Sequence, residues 1–94
     1  MATMMSEPEI AQRLGDLDGW ELHGAEIRRT FAFASFPAAV AFVTQVAFLA
    51  EAAKHHPDID IRYNKVALAL STHSAGGLTE RDFGLAAQID EILG

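Results

Sequence analysis

From Phe31 to Ala50 the chain runs 20 residues without a charge, and any fold it adopts must find cover for that stretch. The run is long enough to cross a bilayer core, so a membrane span is the first possibility to test. Ser35, Pro37, Thr44 and Gln45 interrupt it, alanine outnumbers leucine, and its first residues alternate as a strand does. Those features favour a soluble domain with no membrane partner. Ser35 can cap a helix that has Pro37 in its first turn. From Phe36 to about His55 that helix is apolar on nearly every side, through Val40, Phe42, Val43, Val46, Phe48 and Leu49. A helix without a polar face must be covered on more than one side. In a chain of 94 residues a sheet covers one side, and a second subunit is the expected cover for the other. The prediction is a homo-oligomer.

Composition narrows the class further. Residues 1–94 are expected to form a single domain, and one of this size buries only roughly 60–65% of its unfolded surface, which oligomerisation would help. Half the residues are hydrophobic, well outside the disordered range. There is no cysteine, so neither a disulfide framework nor a thiolate metal site is available. A net charge of −6 with 7 scattered basic residues argues against a nucleic-acid partner, which needs a clustered basic face. The Met1–Met5 start has neither a basic residue nor an apolar core and does not read as a secretory signal. The expected location is cytoplasmic.

Local signals order the elements. Ser6-Glu7-Pro8-Glu9 has the form of a capping box, opening a short helix that stops at Gly15. Trp20 and Leu22 alternate into a turn around His23-Gly24-Ala25, and Ile27, Arg29, Phe31 and Phe33 alternate out of it, as in a hairpin. After the apolar helix, Pro57 forces the chain out of the α region. Ile59, Ile61 and Tyr63 then alternate, Asn64-Lys65 make a turn, and Val66, Leu68 and Leu70 alternate back, with Ala67, Ala69, Ser71 and His73 on the opposite face. Thr79-Glu80-Arg81-Asp82 is a second capping box with Leu78 and Phe83 as its hydrophobic staple, and a last helix carries Leu85, Ala86, Ile89, Ile92 and Leu93. The order predicts an α+β domain: α-β-β-α-β-β-α, a four-stranded antiparallel sheet with helices on one face.

The chemistry-bearing residues gather in its second half. Of 4 histidines, three are His55, His56 and His73, with Pro57 and Tyr63 between them. Imidazole takes up and releases protons near neutrality. Glu51 and His55, four apart on a helix, can face one another, so the carboxylate is expected to orient the ring. A helix C-terminus favours a cation, which suits His55 to carry a proton. His56 leaves the helix extended, so its ring diverges. His73, beside Ala67, Ala69 and Ser71, would leave room for a flat ligand. Each residue also has a plainer role: a His-His-Pro at a helix end is often a solvated cap, Asp82 is explained by its capping box, and Trp20 and Tyr63 read as core aromatics. A zinc site lacks both cysteine and a His-x-x-x-His pair. A Ser71/His73/Asp82 triad lacks a nucleophile turn. Metal-free acid/base chemistry on a small planar substrate fits best.

The combination Glu51, His55, His56, Pro57, Tyr63, His73 and Asp82 closely resembles the signature of the pterin-4a-carbinolamine dehydratases, with no departure in spacing. Gly19-Trp20, the Phe31–Phe36 stretch, Tyr63-Asn64-Lys65-Val66, Leu70-Ser71-Thr72-His73 and Gly77-Leu78-Thr79-Glu80-Arg81-Asp82 extend the resemblance over most of the chain. It implies dehydration of a 4a-hydroxytetrahydropterin left by an aromatic amino-acid hydroxylase, with no cofactor and no metal. On that resemblance His55 and His73 are the acid/base pair, His56 holds the pterin, and Glu51 tunes His55. Lys54, Ser71, Thr72 and Ser74 line the pocket, Trp20 walls it, and Arg81 and Asp82 support its rim. It also implies a homodimer through sheet edges, or a homotetramer through helices. A second expectation comes from the same source: a protein-binding or regulatory module, like the members that stabilise dimers of a transcription factor, with a vestigial pterin site.

Overall fold

The computed structural model describes residues 3–93; Met1, Ala2 and Gly94, and with them part of the Met1–Met5 start, lie outside the described residues. Three helices and four strands follow in the order α1 (Glu7–Gly15), β1 (Glu21–His23), β2 (Glu26–Ala32), α2 (Phe36–Ala53), β3 (Asp58–Arg62), β4 (Lys65–Leu70) and α3 (Glu80–Ile92), with one 3₁₀ turn at His73–Ala75. The strands form one antiparallel sheet in the order β1-β2-β4-β3. The α+β architecture expected from the alternation and caps is the one observed.

Register decides what each face carries. Ile27 stands opposite Leu70, Arg29 opposite Leu68 and Phe31 opposite Val66. Among these, Ile27, Phe31, Val66, Leu68 and Leu70 are buried, in one cluster with Phe42, Val46 and Ala50 of α2 and Phe83, Leu85, Ala86 and Ile89 of α3. The Phe31 and Phe42 rings lie 4.8 Å apart. The other sheet face carries Arg28, Thr30, Ala67 and Ala69, exposed or half-buried. Trp20 is buried in the core, donates its indole N–H to Asp90 at 3.0 Å and meets Phe31 edge to face. Arg29 reaches the same Asp90 carboxylate at 2.8 Å.

The uncharged run is resolved as predicted on one side only. By length and composition α2 is apolar enough to cross a membrane, yet Ala39, Phe42, Val46 and Ala50 form part of the domain core. Val40, Thr44 and Phe48, spaced four apart, lie on its exposed side, and Phe48 is 74% exposed.

Three local expectations need correcting. First, α2 ends at Ala53, not near His55. Lys54 adopts a left-handed φ of 52°, and His55 N–H reaches back to Ala50 O at 3.0 Å, a Schellman-type close that acts before Pro57 can. Second, the β3–β4 turn is Tyr63-Asn64 rather than Asn64-Lys65, which puts Tyr63 at φ 54° and 71% exposed instead of in the core. Asn64 anchors that turn by donating its side-chain amide to Phe33 O at 2.7 Å, while Phe33 N–H bonds Asn64 O. Third, β4 stops at Leu70, so His73 leaves the small-residue face of the strand and opens the 3₁₀ turn instead.

Candidate active site

The site is built on the N-terminal end of α3. Thr79 caps that helix: its hydroxyl accepts Arg81 N–H at 3.2 Å, and its own N–H donates to Asp82 Oδ2 at 2.9 Å. Asp82 is fully buried, and a buried carboxylate is costly unless each oxygen finds partners. Thr72 supplies a second contact to Oδ2 at 2.8 Å, and His55 Nε2 lies 2.5 Å from Oδ1. The capping role therefore accounts for only one oxygen of Asp82. The other belongs to a histidine 27 positions away.

Two further features bring His55 to that oxygen. The left-handed Lys54 turns the chain off the end of α2, and Arg81 donates to the carbonyl of Lys54 at 2.6 Å and of Ala53 at 3.4 Å. The orphan carbonyls of the helix end are thereby tied to the start of α3. His55 is consequently 8% exposed. Glu51, expected beside His55, is bonded instead to His56, Oε1 to Nε2 at 3.0 Å, with both side chains in solvent. The reason is the early helix end: His55 no longer occupies the position four residues along the helical surface from Glu51.

Thr72 is 2% exposed and its hydroxyl lies 2.8 Å from that of Thr79. A bridge in both directions between Thr72 and Gly77, N to O at 3.1 and 3.3 Å, closes the loop carrying the 3₁₀ turn. His73 and Ser74 are exposed on that turn, and Ser71 is half-buried before it. One carboxylate thus joins the stretch holding His55 and His56 to the stretch holding Thr72, and His73 follows Thr72 by one Cα step of about 3.8 Å. Lys54 is exposed beside them. Trp20 is not drawn in, because the Asp90 that holds it is eight residues down α3 from Asp82, about 12 Å along the axis. A hollow of about 310 Å³ over Ala67 and Ala69 is bordered by Glu26, Arg28, Asp58 and Asp60, without any of the three histidines. Among the described residues no three His, Cys, Asp or Glu side chains are grouped as a metal would need.

Thr79 is the residue that reading for chemistry passed over. Its signal was present: a Thr-x-x-Asp box whose Asp is also the final residue of the histidine signature.

Chemically, the arrangement can hold one imidazole rigidly against a buried acceptor while two others stand in solvent nearby. Such a set can take up and deliver protons to a ligand lying between them.

The family model for pterin 4 alpha carbinolamine dehydratase matches residues 3–92. A protein of Roseiflexus sp. (strain RS-1), provisionally named pterin-4-alpha-carbinolamine dehydratase, is 67% identical over 93 residues, 99% of this chain and 100% of the relative. The crystal structure of a transcriptional coactivator/pterin dehydratase from Brucella melitensis is 38% identical, with a TM-score of 0.93 over 98% of this chain and 100% of that one. A pterin dehydratase-like protein described as a RuBisCO assembly factor in the alpha-carboxysome is more distant. It is 26% identical, with a TM-score of 0.65 over 80% of this chain and 87% of that one.

Proposed function

The chain belongs to the pterin-4-alpha-carbinolamine dehydratase family, and from that premise we propose that it converts a 4a-hydroxytetrahydropterin to the quinonoid dihydropterin and water by imidazole acid/base catalysis. The reaction needs no redox partner. The C4a–O bond breaks, the hydroxyl leaves as water after receiving a proton, N5–H gives up its proton, and the electrons of that bond form C4a=N5. A proton is delivered at one atom and removed at its neighbour, which calls for two groups able to carry one.

His55 and His73 are the proposed pair, and His56, with Glu51 beside it, is the proposed pterin-holding group. The observation that carries this reading is the shared Asp82: it ties His55 to the Thr72 stretch, so histidines from the two halves of the signature stand at one end of α3. The proposed setting is cytoplasmic, downstream of an aromatic amino-acid hydroxylase. Stopped-flow dehydration of a synthetic carbinolamine tests it. Turnover well above the spontaneous rate is expected, and a rate equal to the buffer blank would overturn it.

The exposed Val40, Thr44 and Phe48 stripe supports a homodimer or homotetramer in which a second copy covers α2. Sedimentation velocity should show a species heavier than one chain; a monomer at every concentration would contradict it. The same stripe supports the second reading, a protein-binding or regulatory module. That reading is favoured by the coactivator and assembly-factor descriptions of the two solved relatives. A tight assembly without dehydratase turnover would select it.

A further inference from the structure

Thr72 was expected to line a substrate pocket, but its hydroxyl is used up inside the fold. It lies 2.8 Å from Asp82 Oδ2 and 2.8 Å from Thr79 Oγ1, with the side chain almost wholly buried. A hydroxyl has one hydrogen to give, and an ionised carboxylate has none. The Thr72 hydrogen therefore points at Asp82. The Thr79 hydroxyl must then give its own hydrogen to Thr72 Oγ1, while Thr79 Oγ1 accepts the N–H of Arg81. From Arg81 through Thr79 and Thr72, each hydrogen is aimed toward one carboxylate, an arrangement in which successive bonds polarise one another.

That direction has a consequence for the ring. Oδ2 of Asp82 already receives two donors, the Thr72 hydroxyl and the Thr79 N–H, which leaves Oδ1 as an acceptor for His55 Nε2. A neutral imidazole carries its hydrogen on one nitrogen only. Neutral His55 is then the Nε2–H tautomer, with its lone pair on Nδ1. Among the described residues Nδ1 has no hydrogen-bond partner, and no buried side-chain nitrogen or oxygen there lacks one. Nδ1 is accordingly the nitrogen open to solvent.

We infer that Thr72 is a positioning residue for His55, acting through Asp82, and that Nδ1 is the atom at which His55 exchanges a proton with substrate. The catalytic half of this rests on the dehydratase reading. The tautomer does not, since it belongs to the resting protein.

The test uses the full chain labelled with ¹⁵N in its imidazoles, read by long-range ¹H–¹⁵N correlation above the titration of the rings. Wild type should show a pyrrole-type Nε2 and a pyridine-type Nδ1 at His55. Thr72→Val keeps the shape and removes the hydroxyl; it should mix the tautomers and lower kcat roughly 10- to 100-fold, the worth of one charge-assisted hydrogen bond, with KM little changed and the pH profile of kcat displaced. Thr72→Ser should restore the tautomer, the profile and kcat even if thermal stability stays lower. An Nδ1–H tautomer in wild type would overturn the inference, and so would a Thr72→Val protein that keeps the wild-type tautomer and changes only KM. Should Thr72→Val fail to fold, the wild-type spectrum and Thr72→Ser still decide. If the chain has no dehydratase turnover, the ring spectra stand on their own: a fixed Nε2–H tautomer that is lost without the Thr72 hydroxyl supports the positioning role, and one that persists defeats it.

Discussion

His55 sits with Nε2 2.5 Å from a fully buried carboxylate, whereas His56, the next residue, keeps its 3.0 Å bond to Glu51 in open solvent. The two pairs are chemically the same, an imidazole and a carboxylate at bonding distance. They differ in what surrounds them. Asp82 is held by two further donors and cannot move, and little water reaches the pair to screen it. Glu51 and His56 are free to separate and rehydrate, so their attraction is largely offset by the side-chain freedom they lose. One pair can therefore fix a ring to within a fraction of an ångström; the other can follow a ligand. That contrast is the physical basis for giving His55 a proton-transfer role and His56 a holding role.

The comparison breaks most sharply through the histidines themselves. His55→Ala is expected to lower kcat about 10²–10⁴-fold, the usual worth of a general acid or base, while His56→Ala mainly raises KM. Equal kcat losses in single-turnover measurements on the two variants would erase the distinction. Removing the buried acceptor comes next. Asp82→Ala leaves His55, the Thr72 hydroxyl and the Thr79 N–H without their partner and should cost about 3–5 kcal/mol in chemical denaturation. Glu51→Gln removes the corresponding exposed acceptor and should cost less than about 1 kcal/mol. A denaturation midpoint for Glu51→Gln as low as that of Asp82→Ala would mean that burial is not what separates the pairs.

The smallest effect concerns another exposed carboxylate. The Ser6 backbone N–H, and after it the Ser6 hydroxyl, hold Glu9 below its ordinary value of 4.5. The folded carboxyl binds its proton less readily than the unfolded one. Its contribution is thus complete above 4.5 and is lost as pH falls through the lower folded value. Protection of the α1 amides, measured against their intrinsic exchange rates, should fall over that acid range while the sheet stays protected, and Glu9→Gln should remove that loss. Protection that falls together in α1 and β4 would show that α1 is not a separately fraying element. Its lighter docking makes the separation reasonable: α1 has no fully buried residue and is held by half-buried Ile10 and Leu14 against the core, the Arg13–Glu80 pair, the stacking of Arg13 over Phe83 and one backbone bond from Met5 to Leu78.

Much of this was legible before any coordinates. Both capping boxes occur where Ser6-x-x-Glu9 and Thr79-x-x-Asp82 placed them, and β2 and β4 follow the alternation of Ile27, Phe31, Val66, Leu68 and Leu70. Reading failed where a local rule met a competing contact. Period-two alternation carried Tyr63 into a strand, but the hold of Asn64 on Phe33 made it a turn residue. Alternation likewise carried His73 along β4, but the Thr72–Gly77 bridge ended the strand. Helical spacing paired Glu51 with His55, but the left-handed Lys54 ended the helix two residues before His55.

What the sequence determined by itself was the order of elements, the caps that start the helices and the set of residues able to carry protons. Those depend on patterns a few residues long, in which each partner is a near neighbour. Which carboxylate meets which imidazole was decided only in three dimensions. His55 and Asp82 are separated by a helix end, two strands and a loop, and their 2.5 Å contact exists because α2 and α3 dock side by side on one sheet and shut water out. Burial is a property of that docking, and it makes two adjacent histidines into different instruments.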